Sequence, residues 1–312
     1  MKPEIVIVGP MYPACQARLE AEFTAHRLWE AADRGAFLRG VADRARGIAV
    51  YALHGCPAEL IEALPKVEIV ACMGIGVDRI DLKCAEARGI RVTNTPDVVT
   101  PDTADTAMAL MLAVERSIPQ GDRFIRRGEW ATGDFAFGRS LGKRRLGIVG
   151  LGRIGAAIAK RAAAFDMEIA YHGPRPKSDT PYRYVADLAE LAQWAEILVA
   201  ACPGGEATRN LIDGKIIAAL GAQGTLINIA RGSVVDEAAL IAALQSGELG
   251  AAGLDVFAAE PNVPEALRAL DNVVLSPHIG TQTHDARRAM GDLTVDNLHA
   301  HFAGQPLLSP VV

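Results

Sequence analysis

The chain has no apolar run near the ~18 residues that a membrane span requires. Nor does it open like a signal peptide: in MKPEIVIVGPMYP a short apolar run stops at Gly9 and Pro10, so a first strand is expected there. Excess positive charge is missing too. Lys and Arg number 32 against 37 Asp and Glu, a net charge of -5, which argues against a general nucleic-acid or membrane-surface binder. Cysteine is sparse and irregular. Cys15, Cys56, Cys72, Cys84 and Cys202 form no C-x-x-C pair and read as reduced thiols of a cytoplasmic protein. Metal-ligand spacing is absent as well. His299 and His301, two apart on a helical stretch, point to different faces, so no metal is expected. No solenoid repeat or low-complexity tract occurs.

A core-forming composition is present instead. Half of the 312 residues are hydrophobic and 22% are charged, enough for a sizeable core and about two domains at ~150 residues each. The stretch RRLGIVGLGRIGAAIAKRAAAF, residues 144–165, organises the chain. A short apolar run at 146–149 reads as a buried strand, Gly150, Gly152 and Gly155 supply a G-x-G-x-x-G turn, and a helical pattern follows at once. A dinucleotide site needs that order. The first glycine permits the tight turn, the second lets backbone approach a pyrophosphate, and the third lets helix pack on strand with its N-terminus toward the phosphates.

Both sides of this turn alternate strand and helix, the pattern of parallel sheets with crossover helices. Upstream, strands are predicted over 4–8, 47–50 and 67–71, with helices over 13–25 and 58–64. Two loops lie beyond the carboxyl ends of those strands, where open sheets bind ligands. One contains Leu53 and His54, for which a structural role is favoured; the other is Gly74-Ile75-Gly76, whose amides suit a small anion such as a carboxylate. A mostly buried helix over 101–116 then connects to the glycine turn. Downstream, six strands are predicted, at 146–149, 168–171, 197–200, 226–229, 252–256 and 273–275, a complete doubly wound domain. The final helix, 285–302, cannot form a domain alone and should pack back on the first. The predicted domains are therefore 1–97 plus 285–312, discontinuous, and 98–284.

The late strands run into polar residues that a core strand does not need: Arg231, Asp255, Glu260 and His278. All sit at the edge where the nicotinamide end of a dinucleotide would lie. Taken with GLGRIG at 150–155, NIARGSVVDEAAL at 228–240, GLDVF-x-x-EP at 253–261 and SPHIG at 276–280, they make the chain resemble the D-isomer-specific 2-hydroxyacid dehydrogenases, and more narrowly their glyoxylate/hydroxypyruvate reductase-like branch. The resemblance spans nearly the whole chain. It implies an α/β fold of two Rossmann-like doubly wound parallel-sheet domains with the active site in the cleft between them, and a homodimer made through the cofactor domain. It also implies that cleft closure accompanies catalysis.

The resemblance assigns roles that physical chemistry makes intelligible. Reduction of a 2-oxo acid leaves charge on the carbonyl oxygen, and His278 is the expected general acid. An ordinary imidazole, titrating near ~6.5, is mostly neutral at pH 7, and a carboxylate such as Glu260 beside it favours the charged ring. Arg231 offers a planar fork to the substrate carboxylate and carbonyl oxygen. Leu53, Gly74, Ile75 and Gly76 are expected to hold the carboxylate from the other domain. Cofactor contacts are expected from Val99 and Thr103, from Gly150, Leu151, Gly152, Arg153, Ile154 and Gly155, from Cys202, Pro203 and Thr208, and around the nicotinamide from Ile229, Ala230, Arg231, Asp255, His278 and Gly280.

Cofactor choice is read after the second strand, in Tyr171-His172-Gly173-Pro174-Arg175-Pro176-Lys177. NAD enzymes place an acid about 20 residues past the fingerprint to bind the ribose 2′-OH. Here residues 170–177 hold no acid, while Gly173, Arg175 and Lys177 suit a 2′-phosphate, so NADP(H) is expected over NAD(H). Relatives often carry Arg where this chain has Pro174, which removes one phosphate contact. The alternatives are a reductase for a bulkier 2-oxo acid, hydroxyphenylpyruvate or 2-ketogluconate, and a corepressor-like dinucleotide sensor of the same fold. Phosphoglycerate dehydrogenases, which often add a C-terminal domain, and formate dehydrogenases, which pair their histidine with Gln, fit less well.

Overall fold

The computed structural model describes residues 2–312. The chain forms two compact units, Met1–Val99 with Gln282–Val312 and Thr100–Thr281. In the first unit β1 (Glu4–Ile7), α1 (Pro13–Glu22), β2 (Thr24–Arg27), α2 (Arg34–Val41), β3 (Ala45–Tyr51), α3 (Ala58–Glu62), β4 (Ile69–Met73), α4 (Leu82–Ala87) and β5 (Arg91–Thr93) alternate. Their sheet is parallel throughout, in the order β2-β1-β3-β4-β5. Central strands of such a sheet are covered on both faces, which explains the unbroken apolar run of β4, buried at all five positions. Ile48, Val50 and Val70 pack on one face, and Ile5, Ile7, Ala49 and Met73 on the other.

Two strands here were not predicted. The helix expected over 13–25 stops at Glu22, because Phe23 turns extended at φ -122° and buries its ring. Thr24–Arg27 then becomes edge strand β2, with no fully buried residue to give it an apolar pattern. β5 is a three-residue edge strand. Short edges carry little hydrophobic signal, since only part of their surface enters a core.

The second unit opens with α5 (Thr100–Glu115) and α6 (Ile118–Arg126). Then come β6 (Arg145–Val149), α7 (Arg153–Ala163), β7 (Glu168–His172), β8 (Arg183–Tyr184), α8 (Leu188–Trp194), β9 (Ile197–Ala200), α9 (Gly214–Leu220) and β10 (Thr225–Asn228). The unit ends with α10 (Glu237–Ser246), β11 (Ala251–Leu254), α11 (Glu265–Arg268) and β12 (Val273–Leu275). This sheet is also parallel, in the order β12-β11-β10-β9-β6-β7-β8. Six of its strands were predicted; the seventh, β8, has two residues at an edge. α6 was not anticipated, and it buries none of its residues. The strands expected over 226–229 and 252–256 end at Asn228 and Leu254, so Ile229 and Asp255 belong to the turns beyond. The last helix, α12 (His284–Phe302), packs on α1 and β4 of the first unit.

Strand order fixes where ligands can bind. In open α/β sheets the crevice lies at the carboxyl ends of the two strands where the order reverses. In the second unit those strands are β6 and β9; in the first they are β1 and β3.

Candidate active site

The glycine turn sits at the reversal point of the second unit. Gly150 follows β6 at φ +97°, and a Cβ there would lie 2.7 Å from the Cα of Cys202, just beyond β9. At Gly155 a Cβ would come within 2.1 Å of the Gly150 carbonyl oxygen. Gly152 differs: nothing lies within 4 Å of the position its Cβ would take. Two glycines therefore close the turn, and the third leaves room above it. Gly152 also caps α7, and no side chain caps that helix end. Exposed first-turn amides beside an open backbone suit a pyrophosphate, so the residues fit a dinucleotide.

The remaining cofactor positions fall into groups. Thr208 donates to the carbonyls of Pro203 (2.7 Å) and Gly205, shaping the loop after Cys202. After β7, Tyr184 Oη donates to the Gly173 carbonyl at 3.0 Å, and the Lys177 N–H donates to Tyr171 Oη at 2.7 Å. These tyrosines hold a loop on which Pro174, Arg175 and Lys177 are exposed. Among the described residues no carboxylate pairs with either cation. Leu151 is buried, and Val99 lies in the apolar core of the first unit. Arg153 and Ile154 open α7, and Ile229 and Ala230 are nearly buried after β10.

Arg231 is placed by its neighbours. Asn228, buried at the end of β10, accepts from the Ala230 N–H with Oδ1 (3.0 Å) and donates from Nδ2 to the Arg231 carbonyl (3.0 Å). Gly204 leaves space for the Arg231 stem, which a Cβ there would meet at 2.5 Å. Gly232 packs directly on the Phe257 backbone, 1.9 Å from where its Cβ would be, which ties the Arg231 turn to the loop bearing Glu260.

Asp255 holds the histidine loop. Its buried carboxylate accepts from Ser276 Oγ (2.6 Å) and from the backbone N–H groups of Ile279 (2.8 Å) and Gly280 (2.9 Å). Thr103 adds a hydrogen bond to the Gly280 carbonyl at 3.2 Å. Between these anchors His278 adopts φ +52°, a left-handed conformation that surrounding contacts must impose on a non-glycine residue. Its Nδ1 meets Glu260 Oε2 at 2.8 Å, with the two side chains 23% and 17% exposed. Glu260 Oε1 accepts the Phe257 N–H at 3.0 Å. Burial raises the Glu260 pKa, but the hydrogen bonds from His278 and Phe257 and the charges of His278 and Arg231 outweigh it and hold the carboxyl below its ordinary range. The structure thus brings Arg231, Glu260 and His278 together, as their strand-end positions suggested.

In the first unit Leu53 and Gly74–Gly76 follow β3 and β4, adjacent strands of the sheet. The Gly74 N–H already donates to Thr95 Oγ1 at 3.0 Å, so that amide is spent on the loop itself. Gly74 instead contributes its conformation, φ +149°, with a missing Cβ that would strike the Ala52 Cβ at 2.4 Å. Ile75 and Gly76 follow it in the same loop. Arg79 Nη1 reaches back to the Leu53 carbonyl at 2.6 Å and fastens the two loops together. Sequence reading overlooked the supporting residues Asn228, Thr95, Tyr171 and Ser276. A polar residue interrupting an apolar strand, as Asn228 does, is the one signal that could have found any of them.

Comparison with known proteins agrees with this geometry. The family model described as "D-isomer specific 2-hydroxyacid dehydrogenase, NAD binding domain" matches residues 108–280. The chain is 47% identical to the hydroxyphenylpyruvate reductase of Plectranthus scutellarioides, covering 99% of this chain and 98% of the relative. It is 46% identical to glyoxylate/hydroxypyruvate reductase A of Arabidopsis thaliana, with the same coverage. A crystal structure of an NADPH-dependent glyoxylate/hydroxypyruvate reductase from Sinorhizobium meliloti, in complex with NADP and malonate, superposes with a TM-score of 0.94 at 43% identity, covering 100% of this chain and 97% of that one. No helix among the described residues is long and apolar enough to cross a membrane, and none of them form a cluster able to hold a metal ion.

The lowered pKa of Glu260 has a stability consequence. A carboxylate whose pKa is lower folded than unfolded contributes stability above its unfolded pKa, ~4.3 for Glu, and loses it as pH falls through the folded value. Urea unfolding of the protein and of Glu260→Gln should therefore show the wild type favoured at pH 7, with the gap narrowing toward pH 3. A gap that stays constant with pH contradicts the assignment.

Proposed function

The chain belongs to the D-isomer-specific 2-hydroxyacid dehydrogenase family and is an NAD(P)-dependent oxidoreductase; from that premise we propose that it reduces a small 2-oxo acid, glyoxylate or hydroxypyruvate, to the D-2-hydroxy acid with NADPH. The observation that carries this reading is the pairing of His278 Nδ1 with Glu260 Oε2 beside Arg231. The backbone turn Gly150–Gly155, the loop after β9 with Cys202, Pro203 and Thr208, and the turns at Ile229, Ala230, Asp255 and Gly280 hold the dinucleotide. Bound there, the dihydronicotinamide supplies the hydride that reduces the carbonyl carbon.

The chain's own residues do the rest. Arg231 receives the substrate carboxylate and carbonyl oxygen in its fork and fixes the carbon's orientation. The amides of Leu53, Ile75 and Gly76 take the other side of the carboxylate. With Nδ1 engaged by Glu260, the proton leaves His278 from Nε2 and passes to the carbonyl oxygen as negative charge develops there. Glu260 holds the ring in place for that transfer through its hydrogen bond at Nδ1. In the oxidative direction the same pair accepts the proton.

Preference for NADPH rests on Arg175 and Lys177, exposed on a loop without an acid to bind a ribose 2′-OH, and on the Sinorhizobium meliloti relative crystallised with NADP. The identity to a hydroxyphenylpyruvate reductase favours a second reading, a bulkier 2-oxo acid at the same site. A homodimer through the second unit is supported by the α6 region, where Ile118 (56%), Ile125 (58%), Trp130 (67%) and Phe137 (105%) are exposed. Apolar side chains of that size in one region mark an association surface.

Three measurements test this reading. First, NADPH oxidation should proceed with glyoxylate and hydroxypyruvate. His278→Ala should lower kcat by roughly 10²–10⁴-fold while NADPH still binds, and Glu260→Gln should move the alkaline limb of the reduction profile to lower pH. An unshifted limb argues against the pair. Second, kcat/KM should be higher with NADPH than with NADH, and Arg175→Ala should erode that ratio about ten-fold or more. Equal values for the two cofactors in the wild type would sink the preference. Third, light scattering should give twice the chain mass, and Ile125→Glu with Trp130→Glu should give monomer. A monomeric wild type would remove the dimer from the reading.

A further inference from the structure

Beyond the carboxylate loops, the first unit has its own reversal point, between β1 and β3, and its residues there are not absorbed by the reaction described above. On the β1 side stand Gly9 and Tyr12, and on the β3 side Tyr51 and His54. The first turn of α12 adds His284 and Arg287. These groups touch one another. Tyr12 Oη lies 3.1 Å from His284 Nδ1, and the Arg287 guanidinium lies over the Tyr51 ring, 4.9 Å from its centroid. Tyr51 meets His54 edge-on at 5.7 Å. The His54 ring occupies the place of a Gly9 Cβ, only 2.5 Å from where that atom would be.

Several arginines of this unit are held in ion pairs. Arg18 pairs with Glu22, Asp292 and Asp296, Arg27 with Glu20 and Glu30, and Arg46 with Glu68. Arg287, only partly exposed, has an aromatic face beneath it and, among the described residues, no carboxylate within ion-pair distance. A guanidinium held over a ring is partly pre-ordered, so engaging a ligand costs it little further entropy. Tyr12, His284 and His54 add polar groups around it. Tyr12, Tyr51 and Ile75 all pack against the same apolar cluster, on the α1 and α12 face of the sheet. The group therefore shares one face of one unit with Ile75.

We propose that Arg287, stacked on Tyr51 and flanked by Tyr12, His284 and His54, forms a subsite that recognises an oxygen-rich tail, hydroxylated or carboxylated, on the 2-oxo acid. The proposal rests on the oxo-acid reductase reading and adds the group that selects among its substrates. Glyoxylate has no tail and cannot use the subsite, which makes it the internal reference.

The test compares kcat/KM with NADPH for glyoxylate, 2-ketogluconate, 2-oxoglutarate and the apolar-tailed 4-methyl-2-oxopentanoate. The wild type should favour at least one oxygen-rich tail over the apolar one. In Arg287→Leu the ratio of that substrate to glyoxylate should fall at least ten-fold, mainly through KM. Arg287→Lys should restore part of it, and Tyr12→Phe should lower it less. NADPH binding and circular dichroism confirm that each variant is folded. Equal losses for glyoxylate and the tailed acids in Arg287→Leu would overturn the subsite while leaving the reductase intact. So would a wild-type preference for the apolar tail. A wild type inert with every 2-oxo acid, glyoxylate included, would overturn the reductase reading and the subsite with it.

Discussion

The buried carboxylate of Asp255 is the contact on which the proposed chemistry depends most. It accepts three hydrogen bonds from the short loop after β12, and those bonds determine where His278 can be. A carboxylate taken out of water costs free energy unless its oxygens are hydrogen-bonded, and three donors occupy three of its roughly four acceptor sites. The same bonds hold His278 in a left-handed conformation that the loop alone would not favour. The histidine is therefore positioned by backbone before its side chain makes any contact. Glu260 then has only to meet a ring already in place.

A parallel economy operates at the other members of the site. Asn228 fixes the Arg231 turn with one acceptor and one donor, and Gly232 lets that turn lie against the Phe257 backbone. Glu260 is steadied by the Phe257 N–H through one oxygen, which leaves the other for His278. Three strand ends, β10, β11 and β12, are adjacent in the sheet, so each residue is brought close by topology and then oriented by a local bond. Orientation held to a fraction of an ångström requires this second layer of contacts.

Much of this was legible in the sequence, and the reasons differ by element. The doubly wound units were readable because strands covered on both faces are uninterrupted apolar runs, as in β4 and β9. Arg231, Glu260 and His278 drew notice because polar residues collect in the turns after the late strands, where packing does not call for them. The edges were not. β2, β5 and β8 are short and partly exposed, and a sequence such as Thr24–Arg27 has no period to detect. The fate of the Gly74 amide was also hidden, since Thr95 takes it from 21 positions away. Long-range partners of that kind leave no local pattern.

The two reversal points divide the recognition problem in a way that one sheet could not. In the second unit the crevice between β6 and β9 is built from glycine and backbone, with Gly152 leaving room and Gly150 and Gly155 closing the turn. Backbone recognises what all dinucleotides share, so this crevice has little reason to vary with the reaction. In the first unit the corresponding crevice, between β1 and β3, is built from side chains: Tyr12, Tyr51 and His54, with Arg287 laid over the middle one. Side chains can be exchanged singly without disturbing a turn. A family that keeps one hydride chemistry while changing its oxo acid needs that asymmetry. Under the proposed function, the shared dinucleotide would be met by backbone at one reversal point and the variable tail of the oxo acid by exchangeable side chains at the other.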